Sequence, residues 1–293
     1  MKEIVVISGK GGTGKTSIAS SLFALSQNSI AADCDVDAAD MFIVLEPEIV
    51  RKSDFYSGRV AVIDNNKCTN CGVCRELCRF DSISVRSGVH FIDGNECEGC
   101  KVCVEFCPEK AIDFIDRLCG EWFFSETRFG PLVHAKLGIG AENSGKLVTL
   151  VRNEAKRIAV EKKSDFIIVD GPPGIGCPVI ASVTGADAVL IVTELTLSGF
   201  HDLKRVMSLA KHFRIKTAVV VNRWDVNSEM TDNIEEYVHG EGASFIGRVS
   251  YSSDFTDAQI LKKTVVEYKK GMTYEEIHSI WKKLLKFVNG EEK

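Results

Sequence analysis

The sequence of 293 residues lacks the features that mark membrane and nucleic-acid-binding proteins. No run approaches about 18 consecutive apolar residues, and the chain enters an apolar strand at Ile4, so we expect neither a membrane span nor a signal peptide. Basic residues are not in excess, because the formal net charge is −5, and this excludes a basic nucleic-acid footprint. We therefore expect a cytoplasmic protein that binds no nucleic acid and does not act on a membrane.

Cysteine, by contrast, is abundant, with 11 residues in the chain. In a cytoplasmic protein this number favours metal binding over a disulfide framework. Eight of the cysteines form two runs of the spacing C-x₂-C-x₂-C-x₃-C, namely Cys68, Cys71, Cys74 and Cys78, then Cys97, Cys100, Cys103 and Cys107. Two zinc sites are the alternative, but zinc usually takes paired C-x₂-C hooks. The doubled run within units of roughly 30 residues predicts a pseudo-symmetric fold.

The spacing of the two runs is that of bacterial ferredoxins with two [4Fe-4S] clusters, in which the fourth cysteine of each run serves the other cluster. Cluster 1 is then predicted to use Cys68, Cys71, Cys74 and Cys107. Cluster 2 is predicted to use Cys97, Cys100, Cys103 and Cys78. The remaining cysteines, Cys34, Cys119 and Cys177, receive no role from the sequence.

A glycine-rich loop follows the first apolar run and fits the pattern G-x-x-x-x-G-K-[ST]. Its backbone N–H groups and the following helix N-terminus are suited to phosphate oxygens. Lys15 supplies a charge for the outer phosphates, and the Thr16 hydroxyl is suited to Mg²⁺. The predicted nucleotide-binding residues are Gly9, Lys10, Gly11, Gly12, Thr13, Gly14, Lys15, Thr16 and Ser17.

Acidic residues follow two further apolar stretches of the chain. Asp33 and Asp35 come after a short second strand, and Asp170 ends the near-continuous apolar run that starts at Asp165. Ligands of open α/β sheets lie beyond the carboxyl ends of the strands, so these carboxylates are expected to face the phosphates and Mg²⁺. We expect Thr16 and Asp170 to bind the magnesium ion.

Together, these motifs resemble the MinD/ParA/Mrp/NifH group of ATPases, in a form that carries an inserted ferredoxin domain. The resemblance rests on Lys10 with Lys15, on the two acidic motifs, on Gly171-Pro172-Pro173-Gly174, and on the cysteine runs. It implies an ATP-sandwich homodimer in which Lys10 reaches the partner's nucleotide. It also implies that Asp35 orients the attacking water, that Asp33 is a magnesium residue beside Thr16 and Asp170, that residues 171–174 form a switch loop, and that Asn222 reads the adenine edge. Lys10, Lys15 and Asp35 are thus the expected catalytic residues.

The predicted fold is α/β, a doubly wound and mainly parallel sheet with an inserted α+β ferredoxin-like domain. The ATPase domain is predicted over residues 1–57 and 118–293, with the ferredoxin domain at 58–117. Strands are expected at 187–193, 216–222 and 244–249, and turns at 129–132 and 138–140. The helix at roughly 273–288 is expected to pack on the sheet, in preference to a membrane-targeting role. Residues 118–163 offer no further chemistry.

Two functions are predicted for such a chain, and both need an unidentified client. In the first, ATP hydrolysis gates electron delivery through two permanent [4Fe-4S] clusters to a redox partner. In the second, the protein is an ATPase that assembles or carries a metallocluster for another protein. The labile cluster of carrier relatives uses a C-terminal C-x-x-C, which is absent here, so the first function is favoured. A positioning role of the MinD/ParA type is a third alternative, disfavoured by the acidic balance.

Overall fold

The computed structural model of the chain describes residues 1–138 and 144–291. It divides into two compact units. The first, which we call the P-loop unit, holds residues 1–53 and 122–136 and the described residues from 144 onward. The second, the cysteine unit, holds residues 54–121 and the described residues 137 and 138. The domain boundaries at 57 and 117 stay a prediction.

A nine-stranded sheet has the order β11-β10-β9-β1-β8-β2-β7-β6-β3. Six neighbouring pairs of strands are parallel: β1–β8, β1–β9, β10–β9, β10–β11, β2–β7 and β2–β8. The strands are β1 (Lys2–Ser8), β2 (Ser29–Asp33), β3 (Glu48–Ile63), β6 (Ile112–Thr127), β7 (Gly130–Leu137), β8 (Phe166–Pro173), β9 (Ala188–Thr193), β10 (Lys216–Asn222) and β11 (Ser244–Val249). The predicted α/β class with a mainly parallel sheet is confirmed.

Helices cover this sheet, and their apolar sides are buried. They are α1 (Lys15–Leu25), α2 (Met41–Leu45), α5 (Ser144–Lys162), α6 (Cys177–Val183), α7 (Leu197–His212), α8 (Ser228–Gly240), α9 (Asp254–Ile260), α10 (Val265–Tyr268) and α11 (Met272–Asn289), with a 3₁₀ turn at Trp224–Val226. β1, β2 and β9 are buried along nearly their whole length, as expected for parallel strands with helices on both faces.

The predicted turn at residues 129–132 is wrong in part. Only Arg128 and Phe129 connect β6 to β7, and β7 starts at Gly130 and pairs with β2 at Ala31 and Ala32. Pro131 is tolerated because it lies at the start of the strand, where a missing N–H costs least. Residues 118–163 therefore supply two strands of the sheet. Of the predicted turn at 138–140, residues 139 and 140 lie outside the described residues.

The C-terminal helix α11 buries its apolar face, as the sequence predicts. Ile277, Ile280 and Leu284 are at most 1% exposed. Gly247 of β11 leaves room for Ile280, because a Cβ at this glycine would lie 2.4 Å from the Ile280 Cγ1. In the part of the chain that the structure describes, no helix combines the length and apolar character that a membrane crossing requires.

The cysteine unit has a small core of its own. It contains the helices α3 (Val73–Leu77) and α4 (Val102–Glu105) and a hairpin of β4 (Ile83–Arg86) and β5 (Val89–Ile92). Its buried apolar side chains include Ala61, Ile83, Ile92 and Ile112. The long strands β3 and β6 each have 16 residues, and they contribute residues to both units.

Candidate functional site

The phosphate loop connects the buried end of β1 to the first turn of α1. Gly12 and Gly14 have φ angles of 80° and 87°, a left-handed conformation that glycine adopts without strain. The loop borders a pocket of about 480 Å³, whose lining includes Gly11 to Ser17, Asp35, Pro172 and Pro173. The predicted loop residues from Gly11 onward therefore surround one cavity, at the N-terminus of α1.

Lys15 lies at the centre of a buried charge cluster. Its Nζ is 2.9 Å from the Asp170 Oδ1 and 3.1 Å from the Asp35 Oδ2. Burial lowers the pKa of Lys15, but the charges of Asp170 and Asp35 outweigh burial and raise this pKa above its usual range. Burial also raises the pKa of Asp35, against the opposing effect of Lys15. The structure thus brings together three of the predicted residues: Lys15 of α1, Asp35 of the loop after β2, and Asp170 inside β8.

Asp33 is fully buried, and its two oxygens accept backbone hydrogen bonds. Its Oδ1 accepts from the Asp35 N–H at 3.2 Å, and its Oδ2 accepts from the Met41 N–H at 3.1 Å. Burial raises its pKa well above the usual range, and the charge of Asp170 adds to the shift. Asp33 therefore fixes the loop that carries Asp35, whereas the Asp170 Oδ2 is buried without a hydrogen-bond partner.

Asn222 ends β10 beside a second pocket, of about 230 Å³. Its Nδ2 donates to the Thr13 carbonyl at 2.8 Å, and its Oδ1 is buried without a partner. Gly14 and Ser17 line this pocket, as do Tyr251 and Gln259. Gln259 and Ser17 also line the phosphate pocket, so the two cavities share side chains.

Lys10 lies apart from the phosphate pocket of its own chain. Its Nζ forms an ion pair with Glu194 and lies 3.4 Å from the Ser198 Oγ. The residues that line the phosphate pocket include Lys15 but not Lys10. The two lysines of the motif therefore have different surroundings, one buried between carboxylates and the other partly exposed, with 37% of its side chain accessible.

The segment 170–174 begins inside β8 and ends beside the phosphate loop. The Gly174 N–H donates to the Ser8 carbonyl at 2.8 Å. A Cβ at Gly171 would lie 2.7 Å from the Ile7 Cγ2, so this glycine permits close contact with β1. Pro172 and Pro173 border the phosphate pocket, where a change in phosphate occupancy would reach them directly.

Four of the eight cysteines lie around one cavity, three from the first run and one from the second. Cys68, Cys71, Cys74 and Cys107 line a single small cavity of about 20 Å³. Burial raises the pKa of Cys74, and Cys68, Cys71 and Cys107 are the thiols that add to the shift. Burial raises the pKa of Cys103 to about 11, with contributions from Cys97, Cys100, Cys74 and Cys78.

The backbone of the cysteine unit repeats with the same period as the cysteines, 29 positions, since 97 − 68 = 29. Asp64 and Asp93 each accept a hydrogen bond from the amide two residues later, that of Asn66 or Asn95. Three pairs of left-handed residues keep this separation: Asn70 with Gly99, Gly72 with Lys101, and Asp81 with Lys110. The two cysteine loops therefore share one backbone conformation.

The donor chemistry of these loops fits a cubane cluster, in which each thiolate ligates its own iron. Among the described residues, no three His, Cys, Asp or Glu side chains converge on a point where one metal ion would be held. A cubane does not require this convergence, because its four irons are separate ligand positions. Burial raises the pKa of Cys78, but the Ser82 hydroxyl and two amides outweigh burial and lower it, which favours the ligating thiolate.

The family of this chain follows from comparison with known proteins. The family described as the CobQ/CobB/MinD/ParA nucleotide binding domain (CbiA) matches residues 4–265. The chain belongs to this family. A curated relative, the uncharacterized protein MJ0578 of Methanocaldococcus jannaschii, is 34% identical over 229 residues, which cover 77% of this chain and 79% of that protein.

Solved MinD structures share the fold of this family member. The cell division ATPase MinD of Pyrococcus furiosus has a TM-score of 0.60 at 16% identity. The match covers 97% of this chain and 98% of the MinD chain. The septum site-determining protein MinD of Pyrococcus horikoshii OT3, complexed with Mg-ADP, has a TM-score of 0.59 at 15% identity. This match covers 100% of this chain and 99% of that MinD chain. The chain thus carries a nucleotide binding domain of the CobQ/CobB/MinD/ParA family, with the fold of the solved MinD structures.

Three residues near the nucleotide pockets lay outside the sequence prediction. Glu194 and Ser198 contact Lys10, and Gln259 lines both pockets. Neither a glutamate after β9 nor a glutamine on α9 matches a phosphate-binding motif, so the sequence offers no signal for them. The Thr196 at the N-terminus of α7 is a recognisable cap, and it accepts from the Gly199 N–H at 2.9 Å.

Proposed function

We propose that this protein is a Mg²⁺-dependent ATPase that couples the nucleotide state of a homodimer to electron transfer through two [4Fe-4S] clusters. The observation that carries the proposal is that a single chain holds a P-loop phosphate pocket and a cavity lined by four cysteines drawn from both runs. Both modules have the donor groups that their cofactors require. The client is a redox protein whose identity the chain does not encode.

In the proposed ATPase cycle, the residues of the phosphate pocket hold MgATP. Lys15 and the loop amides bind the phosphates, while Thr16, Asp170 and Asp33 form the magnesium side. The unpartnered Asp170 Oδ2 is available for a hydrated Mg²⁺. Asp35 is the residue that orients the attacking water, and Lys10 from the opposite subunit neutralises the charge that develops on the phosphates.

In the proposed electron-transfer module, each cluster uses three cysteines of one run and the last cysteine of the other. Cys68, Cys71, Cys74 and Cys107 hold cluster 1, and Cys97, Cys100, Cys103 and Cys78 hold cluster 2. The shared cavity of the first group and the repeated loop conformation support this assignment. When bound, such clusters supply one-electron chemistry.

A continuous set of contacts leads from the phosphate pocket to strand β6. The loop after β2 is bound by Asp33 to the first residue of α2. The Arg128 guanidinium donates to the Val44 and Leu45 carbonyls of α2 and pairs with Glu267. Because Arg128 directly follows β6, whose residues extend into the cysteine unit, we propose this route for the coupling.

A metallocluster carrier is the second candidate function, because such ATPases also combine a P-loop with bound iron. The full set of eight cysteines favours permanent clusters over transfer. Reduction and reoxidation of the loaded protein without loss of iron support the electron donor. Transfer of iron and sulfide to an apo-protein acceptor under chelator challenge supports the carrier instead.

Asn222 is proposed to select adenine. Its buried Oδ1 accepts a hydrogen bond from the adenine amino group, whereas the guanine O6 would face another acceptor. Replacing Asn222 by Leu keeps the approximate size of the side chain but removes the Oδ1 that is proposed to accept from the adenine amino group. A lost buried hydrogen bond costs about 1–3 kcal/mol, so we expect Asn222→Leu to bind ATP roughly 5- to 150-fold more weakly. Titration calorimetry with ATP and GTP measures the change, and unchanged affinity and selectivity would contradict the assignment.

His90 is predicted to stabilise the loop of cluster 1. Its backbone N–H and its Nδ1 lie 3.3 Å from the Asn70 Oδ1, and the Asn70 N–H donates to the Cys68 Sγ at 3.4 Å. Asn70 needs this anchor because its φ is 57°, whereas Gly99, its counterpart 29 positions later, adopts such a φ without strain. We expect His90→Ala to release the irons of cluster 1 to a chelator faster than those of cluster 2.

The second run provides the matched control for this prediction. Ala61 precedes His90 by 29 positions, as Asn70 precedes Gly99. The repeat therefore matches the pair Asn70 and His90 of the first loop with the pair Gly99 and Ala61 of the second. The double variant Asn70→Gly with His90→Ala copies this pair into the first loop. Iron release from it is expected to return toward the wild-type rate, and equal loss from both variants would contradict the anchoring role.

A further inference from the structure

One buried hydroxyl distinguishes the two cysteine loops. Ser82 lies four residues after Cys78, the last cysteine of the first run, and Ala111 lies four residues after Cys107, the last cysteine of the second. The two positions correspond in the repeat, since 111 − 82 = 29. Both residues are buried, with exposed fractions of 4% and 1%. The first loop therefore keeps a polar side chain out of water at a place where the second loop has an apolar one.

The backbone makes the same hydrogen bonds around both residues. The Asp93 N–H donates to the Ser82 carbonyl and the Asp64 N–H donates to the Ala111 carbonyl, each at 2.8 Å. The Ala111 N–H donates to the Cys107 Sγ at 3.3 Å, and the Ser82 N–H likewise bonds the last cysteine of the first run. The difference between the two loops at this position therefore lies in the side chain.

The Ser82 hydroxyl gives one cysteine an additional donor. Its Oγ lies 3.2 Å from the Cys78 Sγ. A cysteine that ligates iron is a thiolate and has no proton to donate, so the hydroxyl is then the donor and the sulfur the acceptor. The low dielectric of a buried site strengthens such a bond. Ala111 has no group that could make the equivalent bond to Cys107.

We propose that Ser82 is a positioning residue that acts through Cys78 and raises the reduction potential of cluster 2. The inference rests on the proposed pair of [4Fe-4S] clusters, in which Cys78 is the ligand that the first run gives to cluster 2. An external one-electron donor adds one negative charge to a cluster and its sulfurs. A hydrogen bond to a ligating sulfur therefore stabilises the reduced form more than the oxidised form. Cluster 1 has no such hydroxyl at the corresponding position.

Exposed charges also differ between the two loops, but their effect can be separated from that of the hydroxyl. Lys67 and Thr69 of the first loop correspond to Glu96 and Glu98 of the second, and all four residues are exposed. Salt screens exposed charges over about 10 Å at 0.1 M ionic strength, whereas a direct hydrogen bond between buried groups is not screened. The contribution of Ser82 is therefore expected to be the same at low and at high salt.

The test is an EPR-monitored redox titration of the anaerobically reconstituted full chain, with dithionite as the reductant. Ser82→Ala removes the hydroxyl and copies the residue of the second loop. One hydrogen bond changes an equilibrium constant by up to about tenfold. We therefore expect Ser82→Ala to lower the potential of cluster 2 by up to about 59 mV, the one-electron equivalent of tenfold. The potential of cluster 1 is expected to stay unchanged, and Cys103→Ala, which is expected to lose cluster 2, identifies the signal of cluster 1.

Ala111→Ser is the matched variant in the other loop. It is expected to raise the potential of cluster 1 and to leave that of cluster 2 unchanged. If Ser82→Ala keeps both clusters but leaves the potential of cluster 2 at the wild-type value, or shifts both clusters equally, the role of Ser82 is wrong. If Ser82→Ala does not retain cluster 2, Ala111→Ser decides, and a cluster 1 potential that fails to rise overturns the proposal. If wild type binds no cubane cluster, the proposed function fails instead.

Discussion

Replacing Lys15 by methionine is expected to abolish most ATP hydrolysis and to destabilise the nucleotide-free protein. The variant loses the charge on the outer phosphates, and loss of one positioned donor costs about 10²- to 10³-fold in rate. It also leaves Asp170 and Asp35 without the cation that lies 2.9 and 3.1 Å away. Removing one member of a buried ion pair costs about 3–5 kcal/mol in the free energy of unfolding. Phosphate release and denaturant unfolding measure the two effects.

The pH dependence of the Lys15→Met defect has a definite sign. Burial raises the pKa of Asp35 even with Lys15 present, and removal of Lys15 takes away the opposing charge. A carboxyl whose pKa is higher in the folded state binds its proton more tightly when folded. The variant therefore regains stability as pH falls through that raised pKa. A stability deficit that grows on acidification would contradict the assigned ion pair.

Lys10→Met is the matched control, because it removes the other lysine of the same motif. Lys10 is partly exposed and outside the phosphate pocket, so we expect near-normal stability and near-normal ATP binding to the monomer. Hydrolysis is nevertheless expected to fall, since Lys10 is proposed to act on the partner's nucleotide. Equal loss of stability in both variants would show that the two lysines are not distinguished as proposed.

The second large effect is expected for Cys107→Ala, which is predicted to remove the cluster held mainly by the other run. Anaerobically reconstituted wild type is expected to contain about eight irons per chain, and the variant about four. The reason is that Cys107 shares a cavity with Cys68, Cys71 and Cys74 rather than with its own run. Iron and sulfide analysis with EPR of the reduced protein measures the loss.

Comparison of two further variants shows which cluster is lost. Cys68→Ala is expected to lose cluster 1 and to give the same residual EPR spectrum as Cys107→Ala. Cys103→Ala is expected to lose cluster 2 and to keep cluster 1. Cys119→Ala is the control for a buried cysteine outside both groups; its Sγ donates to the Ser57 carbonyl at 3.1 Å. If Cys107→Ala and Cys103→Ala lose the same cluster, the cross-run assignment is wrong.

The convergence of Lys15, Asp35 and Asp170 could be predicted from the sequence for a simple physical reason. Parallel strands place their carboxyl ends at one edge of the sheet, so acids that follow β2 and β8 must lie beside a loop that follows β1. The placement of Cys107 beside Cys68, Cys71 and Cys74 agrees with the doubled spacing of the sequence, whereas the binding of clusters by the eight cysteines stays a prediction. In both cases local patterns determine the geometry.

Contacts between distant segments could not be predicted in this way. The Lys10–Glu194 ion pair joins two loops that no motif connects, and either side chain alone reads as a solvated charge. Strand β7 was missed because Gly130 and Pro131 are typical of turns, and its pairing with β2 depends on the whole sheet. The bond between His90 and Asn70 likewise depends on how a hairpin packs on a loop.

The central claim is that the nucleotide state of the P-loop alters the iron–sulfur clusters of the same chain. The most direct test is an EPR-monitored redox titration of the anaerobic protein without nucleotide, with MgADP and with a non-hydrolysable MgATP analogue. We predict that the analogue shifts the midpoint potential or the spectrum of at least one cluster, and that Lys15→Met abolishes the shift. Identical potentials and spectra in all three states of the wild-type protein would contradict the account.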